Sequence, residues 1–160
     1  MRRRMPALRE QFGWSEQMTD HLLHRYGSLL EELLAMIEQD PSLAQTLEHS
    51  TAYLRAEVAH ACRTEGVLHL EDLMMRRTRL IYEAPDKGLH AVPEIAAIAA
   101  AELGWDEART QSEIEAYTAR AEAEIAAAAE PDDQSAARVR ADLGEVAPLQ
   151  AMGSGAEASD

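Results

Sequence analysis

The stretch EDLMMRRTRL, residues 71–80, sets an arginine where an apolar side chain is wanted. Read as a helix from Leu70, it aligns Leu70, Leu73, Met74, Leu80 and Ile81 on one face. Arg77 falls inside that face, whereas Asp72, Arg76 and Arg79 point away from it. A guanidinium cannot deprotonate to escape burial, so it must find an anion or reach water. A ligand phosphate, a nucleic acid or a carboxylate of the same fold could serve. The chain supplies carboxylates in suggestive places. Leu54, Val58 and Ala61 form an apolar stripe with Glu65 in its middle and Glu57 at its edge, and Glu102 projects between Ile95 and Ile98. Burying either sign alone is costly, and pairing recovers much of that cost. A structural ion network of Glu57, Glu65, Arg77 and Glu102 is therefore favoured over a ligand site, because internal ion pairs commonly produce such patterns. Its centre is predicted to be Arg77 on Glu65 across the Gly66 connection, with Glu57 or Glu102 sharing the guanidinium. Arg77→Ala is then expected to strand a buried carboxylate at about 3–5 kcal/mol, and Arg79→Ala to cost little.

The other reactive residue types form weaker patterns. His21 and His24 share a helix face at i, i+3, which could hold a metal, but no third ligand stands at a supporting spacing and there is no HExxH. Surface histidines are the expectation, and His49, His60, His69 and His90 are scattered. Cys62 lies near an apolar stripe and reads as a small core residue rather than a nucleophile. Asp72 and Arg76 suit an i, i+4 surface pair worth about 0.3–0.5 kcal/mol. Trp105 should staple two helices together, and Tyr53 and Tyr117 read as core-edge aromatics with wet hydroxyls. There is no GxGxxG, Walker loop or nucleophile elbow. No catalytic, cofactor-binding or metal-ligating residue is assigned.

The elements that must position these side chains are helical. Ala, Leu, Glu and Arg dominate, aromatics are 4%, and no stretch alternates with period two. The 160 residues suffice for one domain, an all-α array of about six helices. Residues 1–14 lack periodicity and read as an irregular lead-in to a helical domain over 15–130. A first helix runs from near Glu16 to Arg25 and is broken by Gly27. Ser28 and Glu31 form a capping box for a second, ending at Asp40-Pro41. The third spans roughly Ala52–Glu65 with Gly66 as a left-handed stop, and the fourth runs from Leu70 to the turn Pro85–Gly88. The fifth carries Pro93 in its first turn and ends at Gly104, and the sixth is capped by Asp106 and reaches about Glu130. Residues 131–160 read as a flexible acidic tail.

Net charge narrows the partners. At −14, with Lys87 the one lysine beside fourteen arginines, the chain repels phosphate backbones, which argues against nucleic acid despite MRRRM at the start. Its single cysteine excludes an intrachain disulfide and fits a reducing compartment. MPALREQFGW interrupts any signal-peptide pattern, and no 18-residue apolar run exists to span a membrane. A cytoplasmic location is expected.

Taken together, YLRAEVAHACRTEGVLHLEDLMMRRTRL resembles the signature of the C-terminal domain of FAD-dependent glycerol-3-phosphate dehydrogenases, also called α-glycerophosphate oxidases. The matching positions are Ala56-Glu57-Val58, Glu65, Leu70, Asp72, Leu73 and Arg76-Arg77-Thr78. Arg25-Tyr26-Gly27 upstream and Glu102 to Trp105, Glu113 and Tyr117 downstream extend the resemblance over about residues 20–125. Ile98-Ala99 departs from it where a methionine is usual, Met1–Trp14 matches no recognised part, and the tail resembles the C-terminus of actinobacterial members. The resemblance implies an accessory domain of an enzyme that oxidises glycerol 3-phosphate to dihydroxyacetone phosphate and passes electrons to quinone or oxygen. FAD is implied for the full-length enzyme and no cofactor for this chain. The implied partner is the flavoprotein body, in cis in the family and in trans here, as with a truncated or split reading frame. Its full-length setting would be cytoplasmic, peripheral to the inner membrane face. A free-standing helical interaction module is the alternative.

Overall fold

The computed structural model describes residues 2–141, which are predominantly helical. α1 (Met5–Phe12), α2 (Glu16–Tyr26) and α3 (Leu30–Gln39) come first. A hairpin of β1 (Thr46–Leu47) and β2 (Ser50–Leu54) leads directly into α4 (Arg55–Thr64). A π-helix, Asp72–Arg77, and the single turn α5 (Leu80–Glu83) follow. Then come α6 (Val92–Leu103), α7 (Glu107–Ala128) and α8 (Asp133–Ala141).

α4 is the axis of the molecule. Every residue from Ala56 to Cys62 is buried, because the helix is sandwiched between two apolar clusters. Ala56 and Ala59 face the first, built from α1–α3 around Leu22, Leu30 and Leu33. Val58, Ala61 and Cys62 face the second, built from the π-helix, α6 and α7 around Leu73, Met74, Ile95 and Tyr117. Small side chains let α6 lie close, and it is the principal neighbour of α4. A helix buried all round cannot send polar side chains to water, so Glu57 and His60 must find partners inside.

Several boundaries differ from the sequence reading. Residues 5–12 are not an irregular lead-in: they form α1, which buries Met5 and Leu8, while Trp14 enters the first cluster and donates its indole N–H to the Ala44 carbonyl at 2.8 Å. The Ser28–Glu31 capping box does not form. Residues Gly27–Leu29 make a 3₁₀ turn, and the Glu31 carboxylate instead accepts two bonds from Arg4. Residues 50–54 are strand rather than the first turn of a helix, closed against Thr46–Leu47 in antiparallel register with an irregularity between those two residues. The predicted fourth helix is divided at Arg79, whose backbone is left-handed at φ 58°. Part of the expected tail is also ordered into α8, which lies along α7 with Arg140 on Glu124 at 3.1 Å and Ala136 buried. Residues 142–160 of that predicted tail fall outside the described residues.

Other expectations hold locally. Gly104 takes φ 70° at the end of α6, and the Asp106 carboxylate accepts from Arg109 N at 2.7 Å to cap α7.

Candidate functional site

Three helix ends meet at one place: the C-termini of α2, α4 and the π-helix. Each exposes backbone carbonyls with partial negative charge and no intrahelical donor. Two arginines satisfy them in series. Arg77 donates from Nη2 to the Glu65 carbonyl at 2.5 Å, at the last turn of α4, and its Nη1 lies 3.3 Å from the carboxylate of the same residue. The carbonyl of Arg77 in turn accepts from Nη2 of Arg25, at the last turn of α2. Burial works against the charge of Arg25, but Tyr26 and Glu57 outweigh it and hold its pKa above the ordinary guanidinium value.

The remaining predicted members lie elsewhere. Glu57 is the deepest carboxylate of the four at 2% exposure, and it sits at the opposite end of α4, in its first turn. One oxygen is 2.7 Å from His21 Nε2, and the other accepts from the backbone N–H of Leu54 at 2.8 Å. Arg25 Nε reaches it at 3.9 Å. Glu102 takes a bidentate pair from Arg63 at 2.6 and 2.7 Å. Neither is paired with Arg77 among the described residues, so the expected four-member network is three separate clusters linked by Arg25 and α4. The depth order is also reversed, since Glu65 is 27% exposed and Arg77 32%. Glu65 lies at the frayed end of α4, whereas Glu57 is fixed against the hairpin.

Sequence reasoning missed Glu113. Its carboxylate is buried beside the N-terminal side of the π-helix, accepting from Leu70 N at 2.9 Å and Arg109 Nε at 2.8 Å and lying 2.9 Å from His69 Nδ1. A buried glutamate four residues after an arginine was the available signal. His21 is not a plain surface histidine, being engaged by Glu57, and it makes an edge contact with the Tyr53 ring at 5.2 Å. His24 Nδ1 contacts the Asp20 carbonyl at 2.7 Å. Among the described residues no three His, Cys, Asp or Glu side chains are arranged to hold a metal ion.

The tyrosine hydroxyls are not wet. Tyr53 donates to Glu83 at 2.8 Å and Tyr117 to the Lys87 carbonyl, and burial raises the pKa of both phenols. Burial, with the Glu102 charge second, pushes the Cys62 thiol up to about 12.

A flavin dinucleotide does not fit these residues by themselves. Such a cofactor wants a parallel strand, a glycine-rich turn and a helix N-terminus open to its pyrophosphate. Here β2 is antiparallel to β1 and enters α4 without an intervening glycine, and the Glu57 carboxylate already occupies the helix start. No helix of the described residues is long and apolar enough to cross a membrane.

Comparison with known proteins gives this geometry its context. A family model for the C-terminal domain of alpha-glycerophosphate oxidase matches residues 1–110. Met1–Trp14, which resembled nothing recognised, is thus part of the matched region. The chain is 46% identical over 121 residues to glycerol-3-phosphate dehydrogenase 2 of Mycobacterium tuberculosis, covering 76% of this chain and 21% of that protein. It is 40% identical over the same length to glycerol-3-phosphate dehydrogenase of Mycobacterium leprae, with the same coverage. A mitochondrial glycerol-3-phosphate dehydrogenase of Arabidopsis thaliana is 34% identical over 95 residues, covering 59% of this chain and 15% of its own. No solved structure matches significantly. The chain spans about a fifth of the length of the first two of these relatives. The chain belongs to the family of C-terminal domains of alpha-glycerophosphate oxidase.

Proposed function

We propose that the chain acts as the accessory domain of an FAD-dependent glycerol-3-phosphate dehydrogenase, docking on the flavoprotein body in cis or in trans. The body would oxidise glycerol 3-phosphate to dihydroxyacetone phosphate and pass electrons to quinone or oxygen. FAD belongs to that body, and the helical chain contributes packing rather than chemistry. The supporting observation is the family match over residues 1–110, reinforced by a helical core held by ion pairs with no dinucleotide cradle of its own. We place the assembly on the cytoplasmic side, peripheral to the inner membrane.

Co-expression with a glycerol-3-phosphate dehydrogenase lacking its C-terminal domain tests this reading. Restored solubility or flavin-dependent oxidation of glycerol 3-phosphate is expected, while the chain purified alone should lack flavin absorbance. No rescue of the cognate body, or stoichiometric flavin on the isolated chain, would overturn it. A free-standing helical interaction module would then be the better account.

A further inference from the structure

Arg79 is treated by the fold unlike its neighbours. Each of the other eight arginines between Met5 and Ala128 has a carboxylate within 4.0 Å. Among the described residues Arg79 has none, in a chain of net charge −14. Glu83 stands one turn along but accepts from the Tyr53 hydroxyl instead. The backbone of Arg79 is left-handed, a conformation that disfavours an L side chain and often marks a functional position. Its guanidinium lies over the ring of Tyr82 at 5.9 Å, and Tyr82 is the most exposed large apolar side chain at 61%. An arginine over a tyrosine face is a cation–π pair, and both residue types are enriched at the energetic centres of interfaces.

The pair stands beside a cleft of about 340 Å³ lined by His21, His24, Arg25, Tyr53 and Glu83 as well as Arg79. A second cleft shares His24 and adds Arg2 and Arg9, with Asp20 between them. The two clefts make a basic band on an acidic protein.

We propose that Arg79, Tyr82 and the adjoining cleft form a docking socket for an acidic loop of the flavoprotein body. This rests on the accessory-domain reading above. The loop would present a carboxylate to Arg79 and an apolar side chain to the Tyr82 ring. Charge complementarity selects an acidic occupant, because the rest of this surface would repel one. The size of the relatives supplies a body to carry it, since about four-fifths of the Mycobacterium tuberculosis protein lies outside the matched segment.

The test is a co-expressed complex of the 160-residue chain with the cognate flavoprotein region, its affinity measured by calorimetry. Arg79→Glu should weaken binding at least tenfold and Tyr82→Ala severalfold, with unchanged thermal unfolding of the isolated chain. Arg138→Glu, on α8, serves as a charge-matched control and should leave affinity unchanged. Tight wild-type binding that Arg79→Glu does not weaken would overturn the socket while leaving the accessory-domain reading intact. Absence of any wild-type binding would overturn that reading and the socket with it. Arg79-dependent binding to phosphatidylglycerol vesicles, with affinity for the body unaltered by Arg79→Glu, would assign the basic band to a membrane and refute the socket.

Discussion

Arg77 grips Glu65 twice, by the backbone carbonyl at 2.5 Å and by the carboxylate at 3.3 Å. The first contact caps α4, and the second balances the guanidinium. Both residues are about one-third exposed, so water can reach the carboxylate when Arg77 is removed. The Nε of Arg77 is buried without a partner, which subtracts from what the pair contributes.

Arg77→Ala should therefore lower stability by about 1.5–3 kcal/mol, the range for hydrogen bonds involving a charged group, rather than the 3–5 kcal/mol of a fully buried pair. Arg76→Ala, whose side chain is exposed beside Asp72, should change stability by no more than about 0.5 kcal/mol. Urea unfolding of both variants checks this. Equal midpoints for the two would remove Arg77 from the structural account.

Glu57 should matter more. Its replacement by Ala leaves the buried Leu54 N–H and the His21 ring without their acceptor. The lost cap and the unmade hydrogen bonds together predict a loss of about 2–4 kcal/mol. Glu57→Gln keeps an acceptor for Leu54 and should recover part of it, which separates capping from charge. Thermal unfolding of the pair reads the difference, and wild-type stability in the alanine variant would contradict the assignment.

Cys62 provides a pH test. Burial holds its thiol protonated up to about 12, against an ordinary value of 9.0. The unfolded chain ionises first, so this residue's contribution to native stability is intact below the ordinary value and is lost as pH rises toward about 12. Cys62→Ala should show a shallower alkaline loss than wild type. A thiol reagent at neutral pH should label Cys62 only as fast as the chain unfolds; immediate labelling of the folded protein would show that the thiol is not enclosed.

Local chemistry made the helix stops and one cap legible in the sequence. Gly27, Gly66 and Gly104 each take positive φ at a break, and Asp106 caps as its side chain dictates. Distant contacts hid the rest. α1 carries Met5 and Leu8 at a single i, i+3 spacing, too few for a period, and its neighbour Trp14 is anchored to a carbonyl thirty residues away. The hairpin holds a segment whose composition reads as helix, and its pairing partner supplies what the residues lack. Within the site, Arg77 and Glu65 could be joined because only a short connection separates their helices. Glu57 could not be assigned to His21 without knowing that the helix begins at Arg55, which puts its carboxylate within reach of the N-cap amide.

The π-helix makes the chain sensitive to length. Thr78 N–H bonds the Leu73 carbonyl five residues back, so one residue more is held in the turn than an α-helix would carry. Loss of a single codon among residues 72–77 would let the segment relax to ordinary α geometry with every hydrogen bond remade. Everything after the deletion would nevertheless swing about 100° around the axis, the angle of one α-helical residue. Thr78 would leave its buried position and Arg77 its place at the end of α4. A one-codon deletion here would thus spare the helix and break the junction between helices, which a substitution at the same positions need not do.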